Sequence, residues 1–354
     1  MAMTFSVRRV VYGKRVLACR GDEAWAVAGG TVWISHDAGA RWERFVPLPV
    51  SPLHRAFARF DLLERLLRQD IRSLVELGDG ALLAVGSGSV YRLTTEGCVE
   101  TVFRIPRGAT PLASGIAIDA GGAVYLGEYS GNKNRAHVSL HKSEDAGRTW
   151  DVVHVFPPGS IRHIHGVRYD RFTDALWVAT GDRDEECYLW RSTNRGRTFE
   201  KVVGGGQSWR AVSLVFSERH VRWGTDMPGG HNAVMEWRRG DQALRRVAEV
   251  TGPVYYSKQI GDVALFSTAV ERGEGDQDQY ARIYALDASG RLHEAMKLLK
   301  DAWHPVLFGY GTIGFARGEA GSTRVWVFTY GLVGGARSLL LSWTGDDGRD
   351  GDEE

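Results

Sequence analysis

Ser35–Trp42 reads SHDAGARW, Ser143–Trp150 reads SEDAGRTW and Ser192–Phe199 reads STNRGRTF. Each segment has Ser, then Asp or Asn, then Gly and finally an aromatic residue at the same spacing. The Asp or Asn side chain can accept hydrogen bonds from the backbone that follows it, and Gly tolerates the positive φ of a tight turn. The repeat therefore predicts a recurring hairpin turn, with its aromatic residue packed beneath it.

Strand signals continue along the whole chain as short β-branched and aromatic runs separated by Gly, Asp or Asn. They fall into seven groups: 10–49, 71–106, 114–158, 161–208, 209–253, 254–303 and 304–343. Groups of this length are typical of propeller blades. The last group has too few strands, and Thr4–Val10 is predicted to supply the missing one, which would remove an exposed sheet edge.

The repeated turn resembles the Asp-box (BNR) repeat of sialidase-like β-propellers, although Asn194 and Phe199 replace Asp and Trp at the third site. The resemblance implies an all-β, seven-bladed propeller with the boxes between the third and fourth strands and a ligand site at the opposite face. We predict one propeller domain over 1–344. Apolar residues at helical spacing predict a helix over 53–70, inserted between the first two blades, and residues 345–354 are predicted to be a disordered acidic tail.

Composition limits the partners that the chain can have. A formal net charge of +1 gives no bulk attraction to nucleic acid or to an anionic membrane. We expect no membrane span and no signal peptide, because no apolar run is long enough and the N-terminus lacks an apolar core. The sparse cysteines Cys19, Cys98 and Cys187 favour a reducing, cytoplasmic location over a disulfide framework. Nothing in the sequence indicates the oligomeric state.

The strongest functional signal is a concentration of polar residues at strand ends in the third, fourth and fifth groups. His163 and His165 lie at the predicted start of a first strand, whereas Glu128 and Asp182 each follow a Gly at the end of a second strand. Antiparallel neighbours bring these ends to the same face, where we predict one central pocket. The substrate-binding candidates at that face are Arg72, Tyr129, Arg135, Arg162, Gln207, Trp209, Arg210, Asp226, His231, Asn232 and Tyr256.

The candidate catalytic residues are Glu128, His163, His165 and Asp182. Both histidines project to one side of a strand, and three roles are open for them. With His231, Glu128 or Asp182 they can hold a divalent metal such as Mn, Zn or Ca. They can also act as a general base without metal, or they can be hydrogen-bonded wall residues. Glu128 and Asp182 are the candidate acid–base pair, because glycoside hydrolysis needs one protonated and one ionised carboxyl group.

These residues favour a carbohydrate-active enzyme that cleaves a glycosidic bond next to an acidic sugar. Two reactions are open. In hydrolysis the carboxyl pair acts, whereas in β-elimination a His or Tyr removes a proton while Arg or a metal neutralises a uronate carboxylate. The alternative is a non-catalytic propeller that binds a glycan or a protein partner through the same face, since a fold does not determine a function.

Overall fold

The computed structural model describes residues 3–50, 57, 60–67, 71–241 and 243–344. Within these residues 29 strands form seven sheets, so the fold is the all-β, seven-bladed β-propeller that the sequence predicts. The chain divides into two compact units, one made of residues 1–70 and 258–354 and the other of residues 71–257. The predicted tail at 345–354 lies outside the described residues, and the single-domain organisation stays a prediction.

The unit made of residues 1–70 and 258–354 contains the first and seventh blades and most of the sixth. The first blade consists of β2 (Arg15–Arg20), β3 (Glu23–Ala28), β4 (Thr31–Ser35) and β5 (Glu43–Pro47), with β27 (Arg317–Glu319) added parallel to β2. The sixth blade consists of β22 (Val254–Ile260), β23 (Val263–Thr268), β24 (Tyr280–Leu286) and β25 (Leu292–Leu299). The seventh blade consists of β26 (Thr312–Phe315), β28 (Arg324–Tyr330), β29 (Arg337–Thr344) and the N-terminal strand β1 (Thr4–Tyr12).

The pairing of β1 confirms that the N-terminal residues supply the missing strand of the seventh blade. β1 runs antiparallel to β29, with Thr4 opposite Thr344 and Tyr12 opposite Arg337. This pairing provides hydrogen-bond partners for the backbone groups along one side of β29, which would otherwise be an exposed sheet edge.

Two α-helices are described in the same unit, α1 (Asp61–Leu67) and α2 (Pro305–Phe308). α1 lies within the helix predicted over 53–70, of which residues 53–56, 58–59 and 68–70 lie outside the described residues. Arg65 fixes α1, since its buried guanidinium donates to the carbonyl of Phe308 at 2.6 Å and to Asp301 at 2.7 Å. Neither helix has the length and apolar character that a membrane span requires.

The unit made of residues 71–257 contains the second to fifth blades, whose strands pair in chain order. The second blade consists of β6 (Ile71–Glu76), β7 (Leu82–Gly86), β8 (Ser89–Leu93) and β9 (Val99–Arg104). The third consists of β10 (Ile116–Ile118), β11 (Val124–Gly127), β12 (Val138–Ser143) and β13 (Asp151–Phe156). The fourth consists of β14 (Ile164–Asp170), β15 (Ala175–Thr180), β16 (Tyr188–Ser192) and β17 (Glu200–Gly204). The fifth consists of β18 (Ala211–Phe216), β19 (His220–Thr225), β20 (Ala233–Arg238) and β21 (Leu244–Glu249).

Short 3-10 turns occupy several loops of this unit. They span Pro106–Gly108, Ala113–Gly115, Asp184–Glu186 and Gln207–Trp209. Apolar side chains fill the space between successive blades, and the largest that are fully buried here include Trp177 and Trp223. This packing holds the strand ends of neighbouring blades in fixed positions.

The repeated segments fold as the hairpin turns that the sequence predicts. In the turn between β12 and β13, the hydroxyl of Ser143 accepts the amide of Gly147 at 2.9 Å and donates to Asp145 at 2.8 Å. Asp145 also accepts the amide of Thr149 at 2.9 Å, and the indole of Trp150 donates to the carbonyl of Gly147 at 3.0 Å. Gly147 has a φ of 79°, a conformation that favours glycine.

The turns between β4 and β5 and between β16 and β17 repeat the hydrogen bonds made by the Ser and by the Asp or Asn side chains. In the third turn, Asn194 replaces Asp and still accepts the amide of Thr198 at 3.0 Å. All three turns therefore join third and fourth strands. Because neighbouring strands run antiparallel, the two turns in the third and fourth blades lie at the opposite end of their sheets from the loops that follow the second strands.

We predict that Trp150→Ala lowers the free energy of unfolding by about 3 kcal/mol, the lower end for an aromatic truncation, because this indole is only half-buried. The indole stacks on Phe103 with ring centroids 5.5 Å apart. Urea denaturation followed by circular dichroism measures the loss. Trp150→Phe is the matched control, because the third turn carries Phe199 at this position, and it should lose much less. An unchanged midpoint for Trp150→Ala would contradict this packing.

We predict that Asp145→Asn flattens the acid dependence of stability between about pH 4 and pH 2. Burial alone would raise the pKa of Asp145, but hydrogen bonds from Thr149, Ser143 and Arg148 lower it to about 2. A depressed pKa in the folded state means that the ionised carboxylate stabilises the fold above its unfolded pKa, and that this stabilisation is lost as the pH falls towards 2. Thermal melting of both proteins across this range tests the prediction, and parallel curves would refute it. At pH 7 the variant should fold, since Asn194 closes the equivalent turn.

Candidate functional site

Four polar side chains converge at one end of the fourth and fifth blades. His163 immediately precedes β14 and His165 lies within it, while Asp182 follows β15 and Arg210 precedes β18. β14 and β15 are antiparallel with Ile164 opposite Thr180, so the start of one strand lies beside the end of the other. This register brings the two histidines to the loop that carries the aspartate, as the sequence predicts.

The two histidines face each other in the interior. The Nε2 atoms of His163 and His165 are 2.9 Å apart, and the side chains are 4% and 2% exposed. Nδ1 of His163 lies 2.7 Å from the carbonyl oxygen of Ser130. Because a carbonyl can only accept, this nitrogen carries a proton, and in the neutral form of the ring Nε2 would present its lone pair to the centre of the cluster.

Asp182 completes the cluster with its carboxylate. Oδ1 lies 3.5 Å from Nε2 of His165 and 3.7 Å from Nε2 of His163. Arg162 donates to Oδ2 at 2.6 Å, and Arg210 lies 3.1 Å from Oδ1. Arg210 is in turn paired with Asp226 at 3.2 Å. The two guanidinium groups are therefore balanced by two carboxylates.

Burial and charge shift the pKa values of this cluster. Burial alone would raise the pKa of Asp182, but hydrogen bonds and positive charge from His163 and His165 hold it well below its usual range. Burial lowers the pKa of His165 to about 4, against the opposing effect of Asp182. Burial, together with the charges of Asp226 and Asp182, raises the pKa of Tyr129 to about 12. The tyrosine ring lies 4.1 Å from the ring of His163, centroid to centroid.

The backbone at Asp182 is strained. Its φ is 105°, which residues with a Cβ rarely adopt. Such strain costs on the order of 1–3 kcal/mol and is often retained at functional sites. The preceding Gly181 allows close packing, because a Cβ there would lie 3.0 Å from Cε1 of His165 and 3.2 Å from Cγ of Arg210.

Glu128 belongs to a separate buried ion-pair group. It is 3% exposed, and its carboxylate accepts from Arg107 at 2.7 Å and from the amide of Ser139 at 3.0 Å. The ring of His141 lies 3.2 Å from the other oxygen. Burial would raise its pKa, but these partners lower it. These partners of the Glu128 carboxylate differ from those of Asp182.

Several predicted substrate-binding residues support the loops. Arg135 pairs with the buried Glu186 at 2.8 Å. The buried Asn232 closes its own loop, since its carbonyl oxygen accepts the amide of Met227 at 2.8 Å. Gln207 donates to the carbonyl of Asp182 at 3.1 Å, and so positions the central loop.

Three further residues, Trp209, Arg72 and Tyr256, were predicted to bind substrate. Trp209 stacks on Trp223 at 5.1 Å between centroids and packs against the core of the fourth and fifth blades. Arg72 lies on β6 and donates to the carbonyl of Thr110 at 3.2 Å. Tyr256 lies half-buried on β22.

His231, predicted as a third metal ligand, does not join the two histidines. Its side chain is exposed, and its carbonyl accepts from Arg246 at 3.2 Å. In the described part of the chain, one group of potential ligand residues has its ligand atoms within 4.8 Å of one another, and it consists of His163, His165 and Asp182. Of the three alternatives for a third ligand, His231, Glu128 and Asp182, the structure therefore brings Asp182 to the two histidines.

Three contacts of the site were not predicted from sequence. They are the carbonyl of Ser130 on His163, the packing of Gly181 against His165, and the salt bridge from Arg107 to Glu128. The packing of Gly181 against His165 has a signal in the sequence, namely a glycine directly before a polar residue at a strand end, since glycine permits close approach. The other two join residues distant in sequence, and no local pattern indicates them.

No family model and no curated protein matches this chain. Solved structures do match. Virginiamycin B lyase from Staphylococcus aureus aligns with a TM-score of 0.63 and 11% identity, over 96% of this chain and 99% of that chain. A streptogramin B lyase aligns with a TM-score of 0.61 and 13% identity, over 97% of this chain and 98% of that one.

A third match is a glycoside hydrolase of family GH74 from Niastella koreensis. It aligns with a TM-score of 0.51 and 15% identity, over 77% of this chain and 45% of that chain. At these identities the likeness shows the propeller fold alone.

We predict that Gly181→Ala displaces the cluster without unfolding the protein. The added methyl group would press on His165 and Arg210, and such overpacking costs about 1–3 kcal/mol. The imidazole NMR resonances of His163 and His165 should shift while the circular dichroism spectrum stays native. Gly78→Ala is the control, because a Cβ there meets no atom within 4 Å. If both variants leave the imidazole resonances in place, Gly181 does not position the site.

Proposed function

We propose that this protein is a lyase that cleaves a glycosidic C–O bond in an acidic oligosaccharide by β-elimination. The observation that carries the proposal is the buried cluster of His163, His165 and Asp182 with Tyr129 against it. Proton-transfer groups and a strained, charge-balanced carboxylate meet at one end of neighbouring blades, an arrangement typical of reactive sites.

The bonding of the carboxylates favours elimination over hydrolysis. Hydrolysis by a carboxyl pair needs one acid that carries a proton. Asp182 is held by two arginines, and Glu128 is held by Arg107, an amide and His141. Ion pairs of this kind favour the ionised form of both groups. Neither residue is therefore suited to protonate a leaving group.

The reaction needs a base near the carbon that bears the acidic proton. The candidate groups for this step are Nε2 of His163 and Tyr129 in its phenolate form. The base takes the proton from C5 of a uronate, the electron pair forms the C4=C5 double bond, and the C4–O bond breaks. The departing oxygen then receives a proton from the same or the second group. No other reactant is consumed.

The structural neighbours support the proposal at the level of the fold. The two best-covered neighbours described above are both lyases by name, and one further structure of virginiamycin B lyase is a histidine-to-alanine variant described as catalytically inactive. A seven-bladed propeller can therefore carry lyase chemistry. The substrate class proposed for this chain rests on its own residues.

We predict that Asp182→Asn lowers turnover by about 10²- to 10⁴-fold, as for the loss of a group that supports proton transfer. Substrate binding, measured by calorimetry, should change far less, because the group acts mainly in the transition state. The protein is incubated with a panel of acidic oligosaccharides. Elimination yields an unsaturated uronate, which absorbs in the near ultraviolet. Asp145→Asn is the matched control, since it makes the same chemical change in a turn of the third blade, at the opposite end from the loops that follow the second strands.

Each result separates the alternatives. New reducing ends without new absorbance would indicate hydrolysis and refute elimination. Binding without either product across the panel would favour the non-catalytic alternative, in which the same face binds a glycan. Tyr129→Phe and His163→Asn, assayed in parallel, show which group is the base.

A further inference from the structure

We infer that His163, His165 and Asp182 form a mononuclear site for a divalent transition-metal ion the size of Zn²⁺. The three facing atoms are separated by 2.9, 3.5 and 3.7 Å. A point equidistant from atoms at these separations lies about 2 Å from each, which is the length of Zn–N and Zn–O bonds in proteins. One ion therefore fits between them with little movement of the side chains.

The donor set selects the kind of metal. Two imidazole nitrogens and one carboxylate oxygen suit zinc, and also iron or manganese. Calcium prefers six to eight oxygen ligands at longer distances. Three protein ligands with a free fourth position are typical of catalytic zinc sites, whereas structural sites have four.

The surroundings of the three atoms resemble the outer shell of a metal site. The carbonyl of Ser130 accepts from Nδ1 of His163, which aims the Nε2 lone pair at the centre. Arg162 binds the second oxygen of Asp182, whereas Oδ1 faces the two histidines and also lies 3.1 Å from Arg210. Gly181 lets His165 and Arg210 pack closely beside that loop. These residues position the ligands and do not contact the ion.

Without an ion, the contact between the histidines requires a proton. Two Nε2 atoms 2.9 Å apart are compatible only if one is protonated and donates to the other. With an ion bound, both lone pairs point to it and no proton is needed. Binding of an ion must therefore displace the proton from this contact.

The ion would supply a charge that the proposed reaction needs. Arg162 and Arg210 are already balanced by Asp182 and Asp226, so these four side chains have no net charge. A bound dication would make the site positive and favour an anionic substrate group such as a uronate carboxylate. It would also engage Nε2 of His163, which could then not serve as the base. This step rests on the proposed function, whereas the metal site itself does not.

The test is the uptake of Zn²⁺ by the full chain after treatment with a chelator and dialysis. Calorimetry should show one ion bound per chain. We expect His163→Asn and Asp182→Asn each to weaken binding by about 100-fold or more, since loss of an outer-shell group alone costs 10–100-fold. His154→Asn is the control, because this half-buried histidine packs against Phe156 and Phe199 away from the cluster. The chain loaded with Co²⁺ should show the visible bands of a low-symmetry site with nitrogen ligands.

Melting curves establish that each variant is folded before binding is measured, and either ligand variant alone suffices. The inference is overturned if the native chain takes up no Zn²⁺, or if both ligand variants bind it as tightly as His154→Asn does. Because no substrate is present, this failure is distinct from failure of the lyase proposal. Zinc uptake without lyase activity would sustain the metal site and refute only the reaction.

Discussion

The carboxylate of Asp182 is held by two arginines and lies within 3.7 Å of two histidines, with its side chain 13% exposed. Burying an unmatched charge costs several kcal/mol, so these partners are a requirement of its position. Arg210 needs a second carboxylate, which Asp226 provides. The arrangement of the fourth and fifth blades at this end thus follows from the need to balance one buried charge.

The same constraint explains the strained backbone. A φ of 105° at Asp182 persists because the bonds to its side chain fix its position from several directions. Gly181 adds the space in which the ring of His165 and the stem of Arg210 fit. Strain, close packing and charge balance therefore support one another, and a change in any of them is expected to disturb the others.

Sequence patterns predicted the features that depend on residues close in sequence or on the pairing of consecutive strands. The turn at Ser143–Trp150 closes through bonds between neighbours, and the convergence of His163 with Asp182 follows from antiparallel pairing. The partners of Glu128 were not predictable, because Arg107 and His141 come from other strands and loops. Asn232 and Trp209 likewise look like ligand contacts in sequence but hold a loop and a core in the fold.

The pairing of β1 with β29 has a consequence for how this protein is made. Thr4 lies opposite Thr344, so β1 lacks this partner until β29 has been synthesised. During synthesis β1 has unsatisfied backbone groups along its length and resembles an open edge. Contacts between such distant segments also form slowly. The nascent chain therefore passes through a state in which β1 is available to foreign strands, and we expect its reliance on chaperones to last until β29 has formed.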